Sequence, residues 1–191
     1  IFLVATVPLL LSVIERVEKF KLLGVYFSSD LSWTVHVDYI VSKALRRLFV
    51  VCQLVNARVP TKDIVEIYCA IVRSVLEYAC PVWHGGLTKS QSADIENVQK
   101  RYLRIIYPQS SYNEALHSSG LQRLDDRRES ITRKLFIGVK NEGHDLNKLL
   151  QRKIHDDLKP QTRDTYPYKI PSAKTSRLGR SFINYCLSKR M

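Results

Sequence analysis

Two acidic doublets raise the question of phosphoryl transfer. Arg123-Leu124-Asp125-Asp126 and His155-Asp156-Asp157 each set two carboxylates side by side. A two-metal phosphoryl-transfer centre needs carboxylates clustered within a few ångströms of each other. Neither doublet has that setting. The first opens a helix rather than turning a strand hairpin, and the second lies in polar sequence. Both read as helix caps or solvated acids. His36-Val37-Asp38 has the H-x-D form of a facial iron triad. The two residues begin a helix, however, where side chains two apart diverge, and no third ligand follows. Cys69, Cys80 and His84 suggest zinc. The C-x3-H spacing is loose, and a closed structural site takes four ligands. Gly85-Gly86 alone does not make a phosphate loop, and no serine has a nucleophile-elbow context. The expectation is no catalytic residue, no metal and no cofactor.

Basic side chains form the stronger pattern. Arg46 and Arg47 fall on the outside of one helical stretch, and Lys100, Arg101 and Arg104 on the outside of another. Arg127, Arg128, Arg133 and Lys134 decorate a third. Packed as a bundle, these stretches would line one groove and touch phosphates without reading sequence. A solvated helix face has the same appearance, and Asp126 and Glu129 partly neutralise the last set. The whole chain agrees with the anionic-partner reading. It has 191 residues, 45% apolar, with a net charge of +12. That is enough apolar sequence for a real core and a balance that favours nucleic acid or an acidic surface. From Lys159 to Met191 there are eight basic residues and a single acid, Asp164. That stretch alone contributes +7. The four cysteines, Cys52, Cys69, Cys80 and Cys186, show no CxxC and no disulfide framework. A reducing, intracellular setting fits, nuclear or cytoplasmic.

The elements that must position these residues are mainly helical. Val17 to Ser28 reads as extended, with Gly24 marking a bulge or a close backbone approach. Ser28-Ser29-Asp30 is a turn cluster. After Trp33, apolar residues recur at three and four from Val37 through Cys52, which predicts one helix capped by Ser32 or Thr34. Thr61 caps a second helix that Pro81 ends. Thr88 or Ser90 opens a third, ended by Pro108. Tyr112 to Ser119 is a short helix closed by Gly120. Asp125 or Asp126 caps a fourth long helix running to Lys140, with Ile131, Leu135, Phe136 and Val139 inward. A weaker turn follows around Leu146, Leu149 and Leu150. The expected domains are a truncated β element over 1–30, a helical domain over 31–143, a weak helix over 144–158 and a flexible basic tail over 159–191. The fold class is mainly α: a small N-terminal β element, a four- to five-helix bundle and the tail. The opening run Ile1 to Ile14 is apolar, is broken by Pro8 and lacks a basic n-region. It is too short for a confident membrane span and reads as a strand or hairpin whose partners were cut away.

Four blocks carry a resemblance. They are Phe20-Lys21-Leu22-Leu23-Gly24-Val25, Asp30-Leu31-Ser32-Trp33, Tyr78-Ala79-Cys80-Pro81-Val82-Trp83 and Ile95-Glu96-Asn97-Val98-Gln99-Lys100-Arg101. In this order and spacing they resemble the part of non-LTR (LINE-type) retrotransposon reverse transcriptases that follows the catalytic palm, from about Val13 to Gly143. The resemblance implies a thumb-like helical bundle that holds template–primer duplex, RNA–DNA or DNA, without sequence preference. It implies that Lys21, Leu23 and Gly24 belong to the strand that positions the primer end. Trp33, Tyr78, Pro81 and Trp83 match positions read as structural, and Arg127-Arg128 fits a recurrent pattern. Without the palm carboxylates the chain would catalyse nothing alone. The missing palm, or another protein, would then be a second partner through exposed apolar surface; no membrane is expected. Phe20 to Leu54 also resembles the N-terminal segment of AlkB-like tRNA-modifying proteins, which is not their oxygenase domain.

Overall fold

A computed structural model describes residues 16–151 and 166–191. The readings of Ile1–Ile14 and of His155-Asp156-Asp157 fall outside the described residues. The chain is mainly α. It opens with an antiparallel hairpin, β1 (Lys19–Leu22) and β2 (Val25–Ser28), in which Lys21 pairs with Tyr26 and Phe20 with Phe27. Leu23 (φ +46°) and Gly24 (φ +85°) form its two-residue turn. Two positive φ values match the right-handed twist of a hairpin, and glycine supplies one of them without strain. Gly24 therefore turns a hairpin rather than making a bulge. It also meets a close neighbour, as a Cβ there would sit 3.1 Å from the Tyr78 ring.

Helices follow: α1 (Thr34–Arg46), α2 (Leu48–Asn56), α3 (Thr61–Tyr68), α4 (Ser74–Glu77) and α5 (Cys80–Trp83). The predicted first helix is thus two, divided at Arg47. Its start has no side-chain cap. The predicted second helix contains a π-helical turn, Cys69–Arg73, between α3 and α4. It ends earlier than Pro81, because Tyr78 turns extended (ψ 126°) and Ala79 is left-handed (φ 50°). Pro81 instead sits in the first turn of α5, where a missing N–H costs nothing. Thr61 begins α3 without capping it; the capping position is Pro60.

Next are α6 (Lys89–Ile106), α7 (Tyr112–Ser119) and α8 (Leu124–Val139). Thr88 with Gln91, and Ser111 with Glu114, close reciprocal capping boxes. Gly120 ends α7 at φ +64°. Asp125 and Asp126 lie in the first turn of α8, whose capping position is Arg123. There they suit the helix dipole rather than cap it.

One core joins β2, α1 to α6 and the start of α8, with Val25, Ile40, Ala44, Val51, Tyr68, Leu76, Trp83, Ile95 and Leu124 inside it. The α6 face that enters this core also carries polar groups. Tyr68 O–H donates to Gln99 Oε1 at 2.8 Å, and Gln99 Nε2 donates to Tyr112 Oη and to the Gln122 carbonyl. Glu96 accepts from Tyr112 O–H and, at 3.0 Å, from the Leu124 N–H. Buried polar groups so satisfied fix one packing of α3, α6, α7 and α8.

Over residues 166–191 a second core corrects the expectation of a flexible tail at 159–191. Phe136, Val139 and Leu150 pack there with Tyr168, Cys186, Leu187 and Met191. The C-terminal segment forms α9 (Ser176–Gly179) and α10 (Phe182–Ser188). Its docking residues, Phe182, Ile183, Cys186 and Leu187, sit at helical spacing inside an otherwise polar stretch. The weak helix expected at 144–158 is a short 3-10 turn, Asp145–Leu149, over the described part. Leu135 faces solvent, at 39% exposure. Among the described residues no helix is long and apolar enough to cross a membrane.

Candidate nucleic-acid interface

Helices α1 and α6 lie side by side and run the same way. Near their starts the Gln91 amide donates to Thr34 Oγ1 at 3.2 Å. About three turns on, Tyr102 O–H donates to the Ala44 carbonyl at 2.9 Å. Between them runs a groove of about 280 Å³, lined by Val37, Val41, Leu45 and Val98 together with Asp38, Asp94, Asn97 and Arg101. Acids mark its beginning and cations its end. Lys43 and Arg46 occupy the last turn of α1, Arg47 follows, and Arg104 occupies the last turn of α6. Cations at helix C-termini complement the dipoles. Among the described residues no carboxylate lies within 4.0 Å of Lys43, Arg46, Arg47, Lys100, Arg101 or Arg104. The parallel pairing therefore brings two of the sequence-predicted sets to one end of the molecule, with Arg101 lining the groove itself. Lys100 sits on the α7 side of that end, its ammonium 5.4 Å from the Tyr112 ring.

The α8 set does not join them. Arg127 is tied to Glu77 through Nε at 2.5 Å and Nη2 at 3.0 Å. Arg128, expected outside, is fully buried. It continues the inner stripe Leu124, Arg128, Thr132, Phe136, donates from Nη2 to Ser92 Oγ at 2.9 Å and lies 6.0 Å from the Trp83 ring. Its Nε and Nη1 have no hydrogen-bond partner among the described residues. Burial pulls its guanidinium below the ordinary arginine range. Arg133 and Lys134 are exposed but lie elsewhere. Arg128 stands beside Ser92 and Leu124 beside Glu96, so α8 runs antiparallel to α6. Arg133 then lies past the start of α6, on the order of 20 Å along the axes from Arg101.

The chain matches none of the known protein-family models, curated proteins or solved structures with which it was compared.

All four sequence blocks contribute to the first core, through Val25, Trp33, Trp83 and Ile95. Tyr78 O–H donates to the Leu23 carbonyl at 2.9 Å, so the hairpin tip with Lys21, Leu23 and Gly24 is anchored on the α4–α5 junction. Trp83 Nε1 donates back to the Tyr78 carbonyl at 3.1 Å. Trp33 packs on Gly86, where a Cβ would collide with the indole. Gly85 and Gly86 are thus packing glycines. His36 is buried against Trp33 and Trp83 and receives the Tyr26 N–H, while Asp38 is exposed. The H-x-D pair therefore diverges. Burial holds the His36 imidazole down at about 4. Cys80 is buried, its thiol pushed up to about 12 by burial. His84 turns instead to Glu129 at 3.0 Å. Among the described residues no group of three or more His, Cys, Asp or Glu is placed to hold a metal ion.

Sequence reasoning missed two groups. One is the carboxylate of Glu129, which receives Tyr185 O–H at 2.6 Å, His84 Nε2 and Lys189 Nζ at 3.0 Å, and so fastens α10 to α8. The other is an aromatic and cationic cluster of Lys21, Tyr26, Tyr39 and Lys43. A sequence signal for it existed: Tyr39, Lys43 and Arg46 fall at i, i+4 and i+7, one helix face.

Proposed function

We propose that this chain is a thumb-like segment of a LINE-type reverse transcriptase. It holds template–primer duplex, RNA–DNA or DNA, through the shared C-terminal end of α1 and α6 and performs no chemistry by itself. The observation that carries the reading is that end: Arg101 lines the groove, Arg47, Lys100 and Arg104 lie at the same end, and none of the four has a carboxylate within 4.0 Å among the described residues. A rigid helical pair with an uncompensated cationic end suits phosphate contact without base readout. The ordered sequence blocks support the family assignment, because all four contribute to one core. The hairpin turn at Leu23-Gly24, held by Tyr78, supports a positioning role for that strand. In this reading Arg127 and Arg128 are structural, and Arg133 and Lys134 are not part of the duplex surface.

The test is titration of labelled RNA–DNA and DNA duplexes at several salt concentrations. Neutralising about four phosphates gives a log–log salt slope near −3.6, at roughly 0.9 per contact, and a loss of about two orders of magnitude in affinity from 50 to 200 mM salt. Arg101→Gln with Arg104→Gln lowers the slope by about 2. No binding at low salt, or binding indifferent to salt, refutes the reading.

A second reading, a helical fragment that binds another protein, draws on the hairpin. Phe20, Leu22 and Leu23 are 50%, 53% and 84% exposed. Exposed apolar surface of this kind marks interaction sites. Light scattering decides: a monodisperse monomer up to high concentration counts against it.

A further inference from the structure

The hairpin and α1 share a cluster that gathers two ammonium groups around one phenol. Lys21 Nζ lies 4.8 Å from the Tyr39 ring centroid and 5.2 Å from that of Tyr26, and Lys43 Nζ lies 5.7 Å from Tyr39 on the same side of the molecule as the hairpin. The two tyrosines meet edge to face, with centroids 4.8 Å apart. Lys21 Nζ also donates to the Tyr39 phenol oxygen at 3.3 Å. Hydrogen bonding from Lys21, helped by the charge of Lys43 and opposed by a little burial, lowers the phenol's proton affinity. Two ammonium groups crowd one phenol, and no carboxylate among the described residues is within 4.0 Å of either. Like charges held together on solvated surface are destabilising unless an anion joins them. The phenol oxygen is already an acceptor for Lys21, so its O–H proton is left to be donated outward. Arg46 continues the face one turn on.

We propose that Lys21, Tyr39, Lys43 and Arg46 form a track for the phosphodiester backbone of one nucleic-acid strand, with the Tyr39 hydroxyl donating to a phosphate oxygen between the two ammonium groups. The lengths agree. Tyr39 to Arg46 rises about 10 Å along α1, and one strand of a duplex displays a phosphate about every 3.4 Å of axis. Some three phosphates therefore face three cations. Tyr26 braces Tyr39 and Lys21 from the hairpin, so the track joins two elements and depends on their packing. This assignment rests on the nucleic-acid reading of the α1–α6 end and adds a second, separable set of contacts to it.

The experiment compares four versions of the full chain on the same labelled duplex across a salt series: wild type, Lys21→Gln with Lys43→Gln, Tyr39→Phe, and Arg101→Gln with Arg104→Gln. Circular dichroism melts verify that each is folded. The lysine pair is expected to lower the salt slope by about 1.8, the loss of two duplex phosphate contacts. Tyr39→Phe keeps the ring and both charges, so it is expected to weaken binding about 5- to 10-fold with the slope unchanged, the loss of one hydrogen bond. A merely structural tyrosine would move neither. If the arginine pair lowers the slope and the lysine pair does not, the track is wrong and the α1–α6 reading stands. If only the lysine pair lowers it, the track stands and that reading falls. If wild type binds no duplex at low salt, both fall. Vesicles containing phosphatidylserine and inorganic pyrophosphate serve as competitors. Should either displace duplex at matched phosphate concentration, the site recognises phosphate in general and the strand assignment is overturned.

Discussion

Replacing Arg128 with methionine is expected to make the protein more stable, not less. The guanidinium is fully buried, and among the described residues only Nη2 has a hydrogen-bond partner, Ser92 at 2.9 Å. No carboxylate pairs with it among the described residues; Glu96 and Asp125 act on it only at longer range. Taking such an ion out of water costs several kcal/mol. Against that stand one charge-assisted hydrogen bond, about 1.5–3 kcal/mol, and the Trp83 face at 6.0 Å, about 2 kcal/mol. These terms roughly cancel. Methionine fills similar space, gains about 1.5–3 kcal/mol of apolar burial and leaves Ser92 unpaired at about 1 kcal/mol. Arg128→Met should therefore add about 1–2 kcal/mol, a rise in Tm of roughly 2–8 °C for a chain of this length. Urea unfolding and a thermal melt measure it, and duplex titration of the same variant should show an unchanged salt slope. A loss of more than about 2 kcal/mol would mean that Nε and Nη1 are satisfied after all. A smaller salt slope would mean that Arg128 reaches phosphate.

Three further expectations concern other contacts. Glu129→Gln should release α10: burial raises the Glu129 carboxyl, but hydrogen bonds from Tyr185, Lys189 and His84 outweigh it and leave it lowered. Allowing for its partial exposure, about 1–2 kcal/mol should be lost locally, read as faster hydrogen exchange at 182–188 with α1 and α6 unaffected; uniform exchange changes would contradict the local role. Gly85→Ala should disturb the same segment, because its Cβ would lie 2.7 Å from the Tyr185 ring and 2.8 Å from the Arg180 carbonyl; a melt showing less than about 0.5 kcal/mol lost would refute the contact. His36 gives an acid-side slope: its folded value near 4 lies below the unfolded 6.5, so the unfolded chain protonates first and stability falls as pH drops from about 6.5 to 4, by about 3 kcal/mol. The difference between wild-type and His36→Gln stability curves over that window isolates this contribution from that of His84, also lowered by burial; a flat difference would refute it.

What the sequence made legible follows from which rules act locally. Capping chemistry and left-handed glycine act within a few residues, so Thr88 and Gly120 appear where the cap rules put them. The break at Arg47 was hidden because apolar residues keep helical spacing from Val37 straight through Cys52. Nothing in that period records a change of axis. The tail was misread for the opposite reason. Phe182, Ile183, Cys186 and Leu187 form one good turn and a half, but composition averaged over thirty residues drowned it. Arg128 was assigned outward by residue type, although Leu124, Thr132 and Phe136 place its position on the inner stripe. The cluster at Lys21 and Tyr39 spans 18 residues and two elements. Its helical half was visible in the Tyr39, Lys43, Arg46 spacing; its hairpin half required the fold.

The bland account of the α1–α6 end is that its cations only complement helix dipoles, and charge arithmetic argues against it. Lys21, Lys43, Arg46, Arg47, Lys100, Arg101 and Arg104 are seven positive side chains. Asp38 and Asp94 line the groove and compensate two. Each helix C-terminus contributes roughly half a negative charge, so the two ends at full strength remove roughly one more. A surplus of about four remains on a surface where Tyr39 already gathers two ammonium groups. The contrast with α8 sharpens the point. There, Arg127 is taken up by Glu77 and Arg128 by the interior, so the fold neutralises or buries cations when it can use them for packing. At the α1–α6 end it does neither. A protein that needed these residues only for solubility would have no reason to concentrate them beside two parallel helix ends, where mutual repulsion opposes folding. That repulsion is offset when a polyanion binds, so duplex DNA at low salt should raise Tm by mass action, and Arg101→Gln with Arg104→Gln should raise the Tm of the free chain while removing much of the DNA-induced gain.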